Sequence, residues 1–135
     1  MKKILIIEDE ETIRNELKTL LENFGYKVLM LEKFTNAKED IKSMTLDLIL
    51  LDINLPNING EMLLKEIRKE SNIPVIMVTS RVCEVDEVLS MSYGADDYIT
   101  KPYNPTILLL RIQNIFKRME NNRDDLFYDD IVVNP

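Results

Sequence analysis

The chain of 135 residues contains no histidine, no tryptophan, one cysteine and three glycines. Without histidine, and with Cys83 as the single thiol, most zinc, copper and haem sites are excluded, as are Ser-His and Cys-His nucleophilic pairs. One cysteine closes no intrachain disulfide, which fits a reducing cytoplasm. No apolar run reaches the roughly 20 residues of a membrane span, and Met1-Lys2-Lys3 leads into a short strand, not a signal-type stretch. The expectation is a cytoplasmic protein with no membrane partner. Positive charge is also short: 17 Lys and Arg against 24 Asp and Glu give a net charge of -7, a surface that repels phosphate backbones. DNA contact would have to come from another part of the molecule. Chemistry must be built from carboxylates, hydroxyls, lysines and backbone.

What is present is an ordinary folded composition, 45% hydrophobic and 30% charged, on a length sufficient for one core. Short apolar runs alternate with amphipathic segments. Ile4-Leu5-Ile6-Ile7, residues 27–31, Leu48-Ile49-Leu50-Leu51, residues 74–78 and Tyr98-Ile99-Thr100 read as strands. Helical spacing follows each. Ile13, Leu17, Leu20, Leu21 and Phe24 end at Gly25, residues 35–44 form a weaker helix, and Asn59-Gly60 opens a third. Residues 84–93 are closed by Gly94, and Asn104-Pro105 caps a long helix to about Met119. Strands apolar on both faces predict a doubly wound α/β domain with a parallel sheet. After Met119, residues 120–125 read as a polar linker and Leu126 to Val133 as one further strand, opening a second domain.

In such a sheet the functional crevice lies at the carboxyl ends of the strands. Glu8 and Asp9, Asp52, Thr79 and Lys101 all fall there. With neighbouring strands roughly 4.8 Å apart, these side chains converge if their strands are adjacent. Crowded carboxylates repel one another unless a cation neutralises them. An oxygen-only ligand set suits a hard divalent ion, Mg2+ being the natural choice, and Asn54 could add a backbone carbonyl. Asp52 is then left as a nucleophile toward a phosphoryl group, with Lys101 and the Thr79 hydroxyl as partners for its oxygens.

The motifs Ile7-Glu8-Asp9-Glu10, Leu50-Leu51-Asp52-Ile53-Asn54-Leu55-Pro56 with Gly60, Val78-Thr79-Ser80, Gly94-Ala95-Asp96-Asp97-Tyr98 and Lys101-Pro102 resemble those of bacterial response-regulator receiver domains, over essentially all of residues 1–119. The resemblance implies a CheY-like (flavodoxin-like) five-stranded sheet in order 2-1-3-4-5 and a cis Lys101-Pro102 peptide. It also implies phosphorylation of Asp52 by a sensor histidine kinase, with Mg2+ held by Glu8 or Asp9, Asp52 and the Asn54 carbonyl. Thr79 and Tyr98 would form the switch, the Tyr98 ring turning inward. The molecule would be a signalling switch taking part in its own phosphorylation and dephosphorylation, not an enzyme.

Residues 94–98 and the C-terminal segment resemble the OmpR-type winged-helix regulators. That likeness implies a homodimer on phosphorylation and DNA binding through a C-terminal domain of which residues 120–135 would be the linker and first strand. In the dimer, Val88, Met91 and Leu110 match the apolar patch, and Asp97 with Arg111 and Asp96 with Arg118 match the charge pairs. Glu87 and Ile107 depart from the usual basic and acidic residues, so one charge pair is missing and the surface is expected to be more apolar than normal. Arg81 and Asn54 flank the site where phosphoryl lifetime is tuned, and Cys83 is expected to have no redox task. Competing readings are an aspartyl-nucleophile phosphatase or phosphotransferase, a flavin or nucleotide module, and a phosphorylation-independent interaction domain. Asn54 stands where the phosphatases place a second Asp as general acid, and Glu8 to Glu11 would repel a nucleotide's phosphates.

Overall fold

The structure is a computed structural model. It describes residues 1–131 except positions 32, 57 and 81–83; for residue 86 and residues 121–131 it describes the backbone only. Arg81 and Cys83 therefore lie outside the described residues. The chain divides into two compact units, Met1–Tyr103 and a second beginning at Asn104.

The first unit runs β1 (Lys3–Ile7), α1 (Glu11–Asn23), β2 (Lys27–Met30), α2 (Ala37–Lys42), β3 (Leu48–Leu51), β4 (Asn54–Leu55), β5 (Ile58–Asn59), α3 (Gly60–Arg68), β6 (Val75–Thr79), α4 (Glu84–Ser92) and β7 (Asp97–Thr100). The main sheet has the order β2-β1-β3-β6-β7 and every pairing in it is parallel. With the small antiparallel β4-β5 hairpin set aside, this is the expected 2-1-3-4-5 order. The hairpin itself was not foreseen, because two-residue strands carry no periodicity.

Ile4 to Ile7, Leu48 to Leu51 and Val75 to Val78 are all buried, as continuous apolar runs in a parallel sheet should be. The pleat divides them between two faces. Leu5, Ile7, Ile49, Leu51, Val75 and Met77 join Ala37 and Ile41 of α2 and Leu63, Leu64 and Ile67 of α3 in one apolar cluster. Leu17 and Leu21 of α1 are buried outside that cluster, which puts α1 on the opposite face.

Local chemistry sets the helix ends. At the end of α1 the Gly25 N–H donates to Glu22 O at 3.0 Å and the Tyr26 N–H to Leu21 O at 3.1 Å. This is a Schellman closure, and Gly25 takes the φ of 88° that it requires. Asn59 caps α3, its Oδ1 accepting from the Glu61 N–H at 2.8 Å and the Met62 N–H at 3.2 Å. Asn59→Ala is expected to lower stability by about 1 kcal/mol, as N-cap losses do, read as a lower urea midpoint at unchanged slope.

The second unit is α5 (Pro105–Ile131), opened by Asn104, whose Oδ1 accepts the Thr106 N–H at 2.8 Å. Its start matches the expectation and its end does not. The helix continues through 120–131, where the sequence predicted a polar linker and then a strand. No Gly or Pro interrupts residues 106–131, and adding a residue to a formed helix gains a backbone hydrogen bond that a lone strand lacks. The predicted strand's last residues, 132 and 133, lie outside the described residues. No helix among the described residues is long and apolar enough to cross a membrane.

Candidate functional site

The carboxyl ends of β1 and β3 are adjacent, with Ile7 opposite Leu51 and the Asp52 N–H donating to Ile7 O at 3.1 Å. That pairing sets Glu8 and Asp9 beside Asp52. Carboxylate oxygens of all three lie within 4.8 Å of one another. Glu8 and Asp52 are buried, at 3% and 6% exposure, while Asp9 is exposed. An oxygen-only group of this size could hold one metal ion, and the buried pair gives it a low-dielectric wall.

Lys101 reaches into the cluster from the end of β7. Its Nζ donates to Glu8 Oε1 and, at 3.1 Å, to Asp52 Oδ2. The β6-β7 pairing brings it there, because the Lys101 N–H donates to Thr79 O at 2.7 Å just past the paired Thr79 and Thr100. The Lys101-Pro102 peptide is cis, as expected. Each carboxylate has a second anchor. Glu8 Oε2 accepts the Glu10 N–H at 3.2 Å, and Asp52 Oδ1 accepts the Asn54 N–H at 3.1 Å. The Asn54 backbone thus lies against Asp52, as a ligand-bearing turn should.

Burial pushes the Glu8 carboxyl above the usual carboxylate range, the Asp52 charge adding to the effect and Lys101 and the Glu10 N–H opposing it. Burial acts to lower the Lys101 ammonium, but its hydrogen bonds to Glu8 and Asp52 outweigh that and hold it above its ordinary value. The site is therefore a desolvated carboxylate pair whose charge is partly offset by an internal cation.

Thr79 is fully buried at the end of β6. Tyr98 is buried too, 7% exposed and part of the apolar cluster. Its ring is already inside, so the expected inward turn has no exposed starting position in this conformation. Of the residues assigned to a dimer face, Val88 and Met91 on α4 are exposed, as are Ile107, Leu110, Arg111 and Arg118 on α5. Asp97 Oδ1 accepts the Tyr98 N–H at 2.8 Å. Asp96 has partners within its own unit: its Oδ2 accepts from Arg68 Nη2 at 3.0 Å and from the Val75 N–H at 2.9 Å.

Two residues at the site had escaped the sequence reading. Arg14 Nη1 donates to Glu8 O at 3.1 Å, fixing the turn that carries the acidic pair. Tyr103 has its hydroxyl pKa pushed up to about 12 by burial, then by the charges of Glu16 and Glu8. Neither lies in a recognisable motif; one is an arginine on an amphipathic helix and the other a loop tyrosine.

Residues 4–113 match the sequence profile of the response regulator receiver domain. The chain is 41% identical over 118 residues to the aerobic respiration control protein ArcA of Escherichia coli, covering 87% of this chain and 50% of that protein. It is 38% identical over 133 residues to the sensory transduction protein RegX3 of Mycolicibacterium smegmatis, covering 98% and 58%. The chain spans about half the length of these curated relatives. Its fold superposes on the CheY-like receiver domain protein of Methanospirillum hungatei with a TM-score of 0.84 at 33% identity, covering 90% of this chain and 98% of that one.

Proposed function

The chain belongs to the response regulator receiver domain family, and from that premise we propose that Asp52 accepts a phosphoryl group from a sensor histidine kinase and so controls an attached DNA-binding domain. The observation that carries this reading is the cluster at the strand ends: three carboxylates within 4.8 Å and a lysine bridging two of them. In the transfer, a carboxylate oxygen of Asp52 bonds to phosphorus as the bond from phosphorus to the donor breaks, and the donor leaves with that electron pair. Lys101, released from Asp52, pairs with a phosphoryl oxygen, and the Thr79 hydroxyl donates to another. Glu8 or Asp9, Asp52 and the Asn54 carbonyl would hold Mg2+. The oxygen-only donor set fits that ion, which when bound supplies charge neutralisation and Lewis acidity. The protein acts as a cytoplasmic switch rather than an enzyme in its own right.

Tyr98 and Thr79 lie on adjacent strands and serve as readout of the new charge. The exposed apolar residues Val88 and Met91 on α4, and Ile107 and Leu110 on α5, are proposed to form the surface of a phosphorylation-dependent homodimer. Asp96, Asp97, Arg111 and Arg118 are proposed as its charged rim. A phosphatase reading is not favoured, since Asn54 cannot serve as the general acid that such enzymes place two residues beyond the nucleophile.

The direct test is incubation with Mg2+ and acetyl phosphate followed by intact-mass measurement. One phosphoryl adduct is expected, and none when Mg2+ is chelated. An unmodified mass under both conditions overturns the proposal. Metal binding itself is expected to raise stability, by about 2.7 kcal/mol at a hundredfold excess over the dissociation constant. Thermal melts with MgCl2, against NaCl at equal ionic strength, check it.

A further inference from the structure

Arg68, at the end of α3, makes four side-chain hydrogen bonds outside the acidic cluster. Its side chain is 17% exposed. Nη1 donates to Ile73 O at 2.6 Å and Ser71 O at 3.4 Å, Nε to Gly94 O at 2.9 Å, and Nη2 to Asp96 Oδ2 at 3.0 Å. Ile73 stands just before β6, and Gly94 and Asp96 just before β7. One planar guanidinium therefore holds the approaches to both strands.

Asp96 completes the link. Its Oδ2, already bonded to Arg68, accepts the Val75 N–H at 2.9 Å, and its own N–H donates to Val75 O at 2.8 Å. That reciprocal pair begins the β6-β7 ladder, which then runs Ile76–Asp97, Met77–Tyr98, Val78–Ile99 and Thr79–Thr100. The ladder ends where the Lys101 N–H meets Thr79 O. Strand alignment has a period of two, so an error at the start of the ladder is carried to its end. Lys65, one turn back on α3, lies 4.9 Å from the Tyr93 ring centroid and gives the α4–β7 turn a second tie.

We infer that Arg68 is a positioning residue for the phosphoryl site: it sets the β6-β7 alignment from the far end of the sheet and so fixes Thr79 and Lys101 relative to Asp52. The inference rests on the proposed function of that site. Glu8 and Asp9 follow β1 and Asp52 follows β3, strands that Arg68 does not touch through any of these bonds. Arg68 is thus tied directly to the strands that carry Thr79 and Lys101, and reaches the metal-binding carboxylates only through Lys101, whose Nζ bonds Glu8 and Asp52.

The test compares the full chain with Arg68→Lys and Arg68→Met, each well below its unfolding midpoint. Mg2+ affinity is measured by titration calorimetry, and the labelling rate with saturating acetyl phosphate by intact mass. Mg2+ affinity is expected not to fall, because moving Lys101 away from Glu8 and Asp52 withdraws a competing cation, while the labelling rate falls roughly tenfold, since misplacing a reacting group by 1 Å can cost up to about a hundredfold. Arg68→Lys keeps the charge but not the fork and is expected to recover only part of the rate. Amide exchange at Lys101, measured without phosphodonor, is expected to quicken in both variants. If Arg68→Met does not fold, Arg68→Lys carries the comparison. Unchanged labelling and Lys101 exchange, or a rate loss matched by an equal loss of Mg2+ affinity, overturns the inference. Absence of any adduct on the parent chain overturns the proposed function instead.

Discussion

Asp52→Asn is expected to take up no phosphoryl group from acetyl phosphate under conditions in which the parent chain takes up one. Asparagine matches the aspartate in shape, so its Oδ1 can still accept the Asn54 N–H that Asp52 Oδ1 accepts at 3.1 Å. What it lacks is a carboxylate oxygen able to bond to phosphorus. Loss of the adduct with retained circular dichroism would therefore locate the nucleophile and not report a collapsed fold. Mg2+ binding should weaken as well, since one of three neighbouring carboxylates is gone. An adduct of undiminished yield on Asp52→Asn would assign the chemistry to another residue, Asp9 being the exposed carboxylate of the same cluster.

The largest structural effect is expected from Gly60→Ala. A Cβ at Gly60 would lie 2.0 Å from Asp52 O, 2.7 Å from Ile53 Cα and 2.8 Å from Asp52 C. All three are backbone atoms, so no side chain can swing away to make room. The Gly60 N–H also donates to Ile53 O at 2.8 Å, which clamps the two segments together. Overpacking in a closed site costs about 1–3 kcal/mol and occasionally more, and a clash with backbone belongs at the top of that range. For a domain of this size the thermal midpoint should fall by roughly 10 °C or more. The relieving movement must displace the Asp52 backbone, so the labelling rate per folded molecule should fall too. A midpoint within about 2 °C of the parent, well inside the shift that such a clash implies, would show that the α3 start can move aside at little cost.

Legibility in the sequence followed the range of the interactions. The strand-helix alternation, the Gly25 stop and the Asn59 and Asn104 caps depend on neighbours a few residues apart, and each was readable. The site was readable because strand ends are places, and Glu8, Asp9, Asp52 and Lys101 all mark them. The Arg68 network was not, since its partners lie 3 to 28 residues away and its position reads as a surface lysine-or-arginine slot on an amphipathic helix. The course of residues 120–131 departs from the sequence expectation for a related reason. Leu126-Phe127-Tyr128 carries β-forming side chains, yet propensity is weaker than the gain from continuing an uninterrupted helix. Tyr98 was expected to move inward, and local pattern could not show that its ring already belongs to the core.

The Lys101 bridge has a consequence in charge stoichiometry. Three carboxylates and one ammonium leave two formal negative charges in the cluster. A doubly charged cation neutralises that remainder, whereas a singly charged one leaves a deficit. Because the lysine is its resident counter-ion, one of the cluster's three negative charges is offset before any metal arrives. The same lysine behaves like the fixed ion of an exchange resin: under the proposed phosphorylation of Asp52, the ammonium is already at hand to redistribute.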